Sequence, residues 1–114
     1  MSNPIYVVQT NAVPGREEEF EDWYSHQHLS DVLAVPGFRS AQLFGMSTVQ
    51  RDTANAAYPY RHLALYELEE DPRAALDALA AAVAGGLYLS PALAADRKMV
   101  VFEPTTERLL RRDT

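Results

Sequence analysis

The chain has 114 residues, of which 47% are hydrophobic, so its length and composition suit one folded domain over residues 1–114. It contains no cysteine, which excludes disulfides and thiolate metal ligands, and its net charge of −6 argues against a nucleic-acid partner because phosphate backbones are also negative. No segment approaches the ~20 apolar residues of a membrane span, and the amino terminus lacks a signal-peptide pattern, so we expect a cytoplasmic protein without a membrane partner.

The first half of the chain predicts a strand, a long helix and a second strand, over residues 5–10, 17 to about 33 or 34, and 38–46. The first segment is rich in β-branched and aromatic residues, as strands are. The helix opens with three consecutive glutamates at 17–19, whose charges complement the positive end of the helix dipole. Pro36-Gly37 ends this helix, because proline and glycine both favour backbone conformations that interrupt it.

The second half predicts a strand over residues 60–69, a helix between Asp71 and Gly85, and a last strand over 98–103. Asp71 is a typical helix N-cap and Pro72 suits the first helical position, while Gly85-Gly86 ends the helix. We expect its buried stripe to be formed by three residues at spacings of three and four, which are Leu76, Leu79 and Val83. The polar connection at 47–59 is unusually long, which is typical of ligand-binding loops and equally of mobile excursions.

The order β-α-β-β-α-β predicts an α+β, ferredoxin-like fold with a four-stranded antiparallel sheet. Two helices can cover only one face of such a sheet, yet the strands are apolar on both faces. In the first strand, for example, Ile5 and Val7 alternate with Tyr6 and Val8. Because monomers rarely expose an apolar face of this size, we predict a homodimer in which the two sheets pack together and cavities remain between sheet and helices.

Segment 23–31 holds the greatest concentration of chemically versatile side chains: Trp23, Tyr24, His26, His28 and Asp31. At about 100° per residue Tyr24, His28 and Asp31 share one helix face, whereas His26 lies about 200° from His28. The two imidazoles therefore cannot chelate one metal ion, and we expect no metal site. We expect Asp31 to hydrogen-bond to His28 and to raise its basicity, which suits general acid/base chemistry. An inward histidine satisfied by a backbone carbonyl fits the same pattern.

Polar residues in the predicted strands supply further candidates. His62 and Tyr60 share one face of the third strand, and a histidine in an apolar strand needs a polar partner or borders a cavity. Gln9 and Gln42 also lie in apolar strands, where each could orient a ligand oxygen or face the solvent. Trp23 fits core packing better than ligand contact, because large aromatic rings dominate protein cores.

The pattern Trp23-Tyr24-x-x-x-His28-Leu29-x-Asp31, followed by Val35-Pro36-Gly37-Phe38, resembles the dimeric α/β-barrel superfamily. More narrowly it resembles the EthD-like group, in which a W-Y-x-x-x-H-x-P-[DE] pattern leads into a PGF strand. Ser30 stands where that pattern usually has proline, so we expect the helix to continue further here. The Tyr-x-His of the third strand also resembles plant polyketide cyclases of this fold, in which a histidine there lines the pocket. The resemblance implies a dimer with a cavity beside each sheet and His28 pointing toward it.

Taken with the candidate residues, the resemblance predicts a cofactor-independent enzyme that acts on a small aromatic or polyketide-like molecule by isomerisation, cyclisation or lyase-type cleavage. The residues expected to carry this chemistry are His28 as general acid/base, Tyr24 as its partner or oxyanion donor, Asp31 as orienting group, His62 and Tyr60 at the polar end of the substrate, and Trp23 and Tyr66 as walls. Two alternatives remain: a cofactor-free or haem-dependent monooxygenase with His28 or His62 as axial ligand, and a non-catalytic binding or accessory protein.

Overall fold

The structure, a computed structural model, describes residues 3–52 and 57–112. Its elements are β1 (Ile5–Thr10), α1 (Glu17–Trp23), a π-helical segment (Tyr24–His28), α2 (Leu29–Leu33), β2 (Phe38–Gly45), β3 (His62–Leu68), α3 (Pro72–Ala84) and β4 (Lys98–Phe102). The β-α-β-β-α-β order and the ferredoxin-like fold are thereby confirmed. The polar connection predicted at 47–59 includes residues 53–56, which lie outside the described residues. Within the described ranges, no helix has the length and apolar character needed to cross a membrane.

The long helix that was predicted from residue 17 is continuous to residue 33, but its middle is π-helical. The backbone N–H of Leu29 bonds to the carbonyl of Tyr24, five residues earlier, where an α-helix would bond four residues earlier. This extra residue in the turn rotates the following side chains around the helix axis. A helical wheel drawn at about 100° per residue therefore does not hold across this turn.

The four strands form one antiparallel sheet in the order β2-β3-β1-β4. Tyr6 in β1 lies opposite Tyr66 in β3 on one side and opposite Val101 in β4 on the other. Tyr6, Val8 and Thr10 point toward the helices, because side chains of a strand alternate between its faces. The core lies on this face of the sheet and is rich in aromatic rings, including Phe20 and Tyr24 from the long helix.

Helix α3 has the predicted caps but buries less of its leucine stripe than predicted. The carboxylate of Asp71 accepts a hydrogen bond from the Ala74 N–H, and proline occupies the first turn. Ala75 is the fully buried residue of this helix, whereas Val83 is 42% exposed. The reason is that α3 approaches the turn at Gly37 through its small alanine, so that its larger side chains border a cavity.

The opposite face of the sheet is apolar and is not covered by any helix in the described part of the chain. Its members include Ile5, Val7, Leu65, Val100 and Phe102, which follow one another at alternate positions and in register across β3, β1 and β4. Val7 at the centre is almost buried, while Val100 remains 39% exposed. This face has the composition expected of a surface that packs against another sheet.

Candidate functional site

A cavity of about 120 Å³ lies between the helix-facing side of the sheet and the helices. Most of its wall is apolar, with leucine, valine and methionine side chains from α2, α3, β1, β4 and the connection that follows α3. The residues that bring polar groups to the wall are Tyr6, Thr10, Tyr24, His28, Tyr66 and Arg97. A mostly apolar cavity with a few convergent polar groups is typical of small-molecule sites.

His28 lies in the π-helical segment and is 8% exposed. Its ring stacks on Trp23 with centroids 4.5 Å apart and meets the Tyr24 ring edge-on at 4.8 Å. Its Nδ1 is buried without a hydrogen-bond partner among the described residues. Burial lowers the pKa of His28 to about 4, an effect that the charge of Asp31 opposes only in part. The imidazole is therefore neutral at pH 7 and can accept a proton from a ligand.

The predicted hydrogen bond between Asp31 and His28 is wrong, because none joins the two side chains in the described structure. The charge of Asp31 raises the pKa of His28, as expected, but burial lowers it by more. The physical reason is that desolvation of the buried imidazolium outweighs the attraction of a carboxylate that is itself only partly buried. Asp31 acts on His28 through its charge alone.

Tyr24 and Tyr66 form a buried pair of phenols on the cavity wall. Their hydroxyl oxygens are 3.2 Å apart, and either hydroxyl can donate to the other. Burial raises the pKa of both side chains, so both stay protonated at neutral pH. One proton of the pair is free to hydrogen-bond to an oxygen of a ligand, since each hydroxyl has a single donor and the pair uses only one.

Arg97 was not among the residues singled out from the sequence. It lies immediately before β4, two positions before Met99, and both residues line the cavity. Its positive charge lowers the pKa of Tyr6, Tyr24 and His28. The signal that could have identified it is the period of two in β4, which assigns position 97 to the same face as Met99 and Val101.

His62 and Tyr60 are not in the cavity that contains His28. They line a separate cavity of about 330 Å³, which is bordered by neighbouring ends of β1, β2 and β3 and by residues 46, 50, 58 and 61 of the described connection. The Nε2 of His62 lies 3.2 Å from Glu21 Oε1, and its ring contacts Phe20 with centroids 4.8 Å apart. The hydroxyl of Tyr60 donates to Asp96 Oδ1 at 3.2 Å. The structure thus gives both residues protein partners and separates them from the candidate acid/base group.

The remaining sequence candidates divide between the two faces of the sheet. Trp23 packs against the imidazole of His28 from the side of the core. Gln42 is exposed and Gln9 is half-buried on the face that the helices leave uncovered, where Gln9 accepts a hydrogen bond from the Tyr58 hydroxyl. Neither glutamine reaches the cavity. His26, the other histidine of the motif, has a side chain 79% exposed and lies 3.2 Å from Asp22 Oδ1.

Several solved structures have a similar fold. The haem degrader MhuD from Mycobacterium tuberculosis aligns with a TM-score of 0.64 and 18% identity over 92% of this chain and 98% of its own. SnoaB from Streptomyces nogalater, a cofactor-independent oxygenase, gives 0.58 and 16% over 94% and 97%. The monooxygenase ActVA-Orf6 from Streptomyces coelicolor, solved with nanaomycin D, gives 0.56 and 20% over 96% and 94%. No protein-family model matches the sequence, and no curated protein matches it significantly.

These similarities establish the ferredoxin-like α/β fold of this chain, and they correct the main functional expectation. That expectation was an isomerase, a cyclase or a lyase, whereas the three structural relatives are named as a haem degrader, an oxygenase and a monooxygenase. The error has a physical reason, because a histidine beside a phenol in an apolar cavity serves proton transfer in any of these reactions. The narrower resemblance to the EthD-like group is not confirmed by the comparisons.

Proposed function

We propose that this protein is a cofactor-independent monooxygenase that oxidises a small aromatic or polyketide-like molecule. The observation that carries the proposal is the apolar cavity in which the neutral imidazole of His28 adjoins the hydroxyl pair of Tyr24 and Tyr66. The oxygenase names of SnoaB and ActVA-Orf6, which have the same fold, support oxygen as the second substrate. The substrate enters the cavity, and the reaction takes place against its wall.

The reaction that fits this cavity begins with removal of a proton from an activated phenol or methylene group. His28 accepts that proton, and a tyrosine hydroxyl donates a hydrogen bond to the oxygen that becomes negative. The electron-rich ring carbon then forms a bond with molecular oxygen, and loss of water leaves a carbonyl. For 1-naphthol the balance is naphthol plus O₂ to 1,4-naphthoquinone plus water, so that the substrate supplies all the electrons. The apolar walls keep bulk water away from the anionic intermediate.

The haem-dependent alternative does not fit these residues. The cavity beside His28 has a volume of about 120 Å³, below the roughly 300–1,000 Å³ of pockets for drug-sized ligands, so it favours a one- or two-ring aromatic molecule over haem, a macrocycle of four pyrrole rings. In the second cavity, the Nε2 of His62 lies 3.2 Å from Glu21 Oε1, and its Nδ1 is unpartnered but buried. Neither ring nitrogen of His62 is therefore both unpaired and accessible to an iron atom in that cavity.

Assembly and narrower classification are part of the same proposal. A second copy that packs its sheet against the uncovered apolar face would form the homodimer predicted from the strand patterns. Membership of the EthD-like group is supported by the Trp23-Tyr24-x-x-x-His28 pattern, which supplies two of the cavity residues. Both points describe the setting of the candidate site, and the oxygenase chemistry can be tested without them.

The proposed activity can be tested by oxygen uptake with the two-ring compound 1-naphthol. We expect uptake to be matched by formation of the corresponding quinone. His28→Gln should lower kcat by about 100-fold or more, as is typical when a general base is removed. His26→Gln is the matched control, because it removes an exposed imidazole of the same helix and should leave kcat unchanged.

Equal loss of activity in both variants would contradict the role of His28. Binding of 1-naphthol without oxygen uptake would contradict the oxygenase reaction and favour a non-catalytic binding protein. Haem titration provides a separate measurement, since a Soret band that depends on His28 or His62 would contradict the argument from cavity size.

A further inference from the structure

The cavity contains one charged side chain without an acidic partner. Arg97 is half-buried at the cavity wall, and no carboxylate within the described ranges forms a salt bridge or a hydrogen bond with it. The neighbouring Asp96 accepts its hydrogen bond from Tyr60, and Asp31 does not line the cavity. A guanidinium that is partly removed from water gains from a compensating anion, so such a group without a protein anion in a ligand cavity favours a negatively charged ligand.

Thr10 provides a second, independent observation at the same end of the cavity. It is 1% exposed, it lines the cavity, and its Oγ1 has no hydrogen-bond partner among the described residues. The antiparallel register between β1 and β4 pairs Val8 with Met99 and Gln9 with Lys98, and the next position of that ladder brings Thr10 toward Arg97. A buried hydroxyl without a hydrogen-bond partner destabilises the folded protein. A hydrogen bond from this hydroxyl to a ligand oxygen would offset that loss.

We propose that Arg97 and Thr10 form an anion-binding subsite that selects aromatic ligands carrying an ionised oxygen. The guanidinium donates hydrogen bonds to that oxygen and the threonine hydroxyl donates another, while the aromatic rings of the ligand contact the leucines and valines of the wall. This inference rests on the proposed function only for the identity of the ligand as a substrate. The subsite itself is a property of binding and is measured without any turnover.

The charge distribution around the cavity favours this assignment over a neutral ligand. Arg97 is the charged residue of the wall, because the imidazole of His28 is neutral and both tyrosines that face it are protonated. Lys98, the next residue, belongs to the other face of the sheet, where it lies opposite Gln9. In a monooxygenase substrate the ionised oxygen would be the phenolate or enolate oxygen that forms when His28 accepts the proton, and a carboxylate has the same hydrogen-bonding chemistry.

The test compares two probes of nearly equal size, 1-naphthoate and the uncharged 1-naphthamide, by calorimetric titration at neutral pH. We expect the wild type to bind naphthoate at least about tenfold more tightly, as charge-assisted hydrogen bonds are stronger than neutral ones. Arg97→Gln should abolish this preference and leave naphthamide binding unchanged, and Thr10→Val should reduce it. Lys98→Gln, which removes the same charge one residue away on the other face, is the matched control and should bind like the wild type.

Three results would overturn the subsite: equal affinity of the wild type for both probes, no naphthoate binding, or the same loss of naphthoate affinity in Lys98→Gln as in Arg97→Gln. Arg97→Lys is the control for misfolding at this position. It retains the positive charge and should therefore retain part of the preference for naphthoate over naphthamide. The absorbance of bound 1-naphthol reports whether its hydroxyl is ionised, and this distinguishes a phenolate ligand from a carboxylate ligand. Naphtholate at neutral pH indicates a phenolate ligand, whereas naphthoate binding with un-ionised naphthol indicates a carboxylate ligand, and either result supports an anion subsite. Failure of the oxygenase proposal would leave these affinities unaffected.

Discussion

At the scale of single residues, the protonation state of His28 decides what the cavity can do. A buried imidazole beside Trp23 and Tyr24 is neutral at pH 7, because burial lowers its pKa to about 4. A neutral imidazole is ready to accept a proton but binds it weakly. When the ligand loses that proton, its negative oxygen stabilises the new imidazolium, since an opposite charge nearby raises the pKa of histidine. Proton transfer and binding of the anion at Arg97 would thus favour each other.

The depressed pKa of His28 predicts a dependence of stability on pH. In the unfolded chain this histidine titrates near pH 6.5, whereas in the folded protein it titrates at about 4. Between these values the unfolded state binds more protons, so the free energy of unfolding should fall as the pH drops from 6.5 to 4. The loss attributable to His28 is on the order of 3 kcal/mol at most.

The measurement is urea unfolding of the wild type and of His28→Gln across pH 4–7, with His26→Gln as control. Because carboxylates also titrate in this range, the quantity to compare is the difference in slope between the variants. His28→Gln should flatten the dependence and His26→Gln should not. A slope in His28→Gln equal to that of the wild type would show that the imidazole is not desolvated as the structure indicates.

At the scale of secondary-structure elements, the π-helical segment and the turn at Gly37 set the geometry of the site. The π turn lies at Tyr24–His28, so the two side chains central to the proposed chemistry both come from the irregular part of the helix. π-helical turns occur frequently at functional sites. The helix then ends before Gly37, whose φ of +96° is a left-handed conformation that suits glycine. A Cβ built at Gly37 would come within 2.7 Å of the Ala75 Cβ, so this turn also brings α3 against the sheet.

We therefore expect Gly37→Ala to destabilise the protein more than Gly15→Ala does. Both glycines have positive φ, but a Cβ at Gly15 would meet no atom within 4 Å. The shared backbone strain costs about 1–2 kcal/mol, and the contact with Ala75 adds about 1–3 kcal/mol at position 37 alone. Urea unfolding of the two variants measures the difference, and equal losses would contradict the close packing of α3 on this turn.

At the scale of the whole molecule, the sheet has two different faces. One packs against the helices and borders the candidate site, and the other is not covered by any helix in the described part of the chain. The helices account for the first face only, and the second is apolar from β3 across β1 to β4. The hydrophobic effect would favour burial of this surface in the proposed symmetric dimer, because each apolar side chain removed from water contributes favourably. The candidate cavity lies on the other side of the same sheet. Association would therefore stabilise the sheet that forms one wall of the cavity.

The predicted dimer can be tested with Val100→Lys, a substitution at an exposed position in the middle of the uncovered face. Light scattering should give the wild type twice the mass of one chain and the variant the mass of one chain, since burying an unpaired ammonium group is costly. Leu33→Lys replaces an exposed leucine on α2, away from the sheet, and should remain dimeric. A wild type that is monomeric at micromolar concentration would contradict the proposal.

The sequence by itself determined the elements, their order and the two-faced character of the sheet. Some features depend only on residues that are close together in the chain and can be predicted without coordinates. They include strand alternation, the caps of α3 and the acidic first turn of α1. Helical phase separated His28 from His26 but left open which of the two points inward, and only the family resemblance implied that His28 faces the cavity. The structure has His28 buried and His26 exposed.

Only the tertiary structure decided which polar groups share the cavity. His62 was the second histidine candidate in the sequence, and the register places it opposite Thr10, yet its side chain contacts Glu21 and lines a different cavity. Arg97 appeared unremarkable, yet the pairing of β4 with β1 brings it to the same wall as Thr10 and His28. The sign of the His28 pKa shift also depends on burial by distant segments. A local pattern can assign a residue to one face of a strand, but which groups meet in a cavity depends on contacts between residues far apart in the chain.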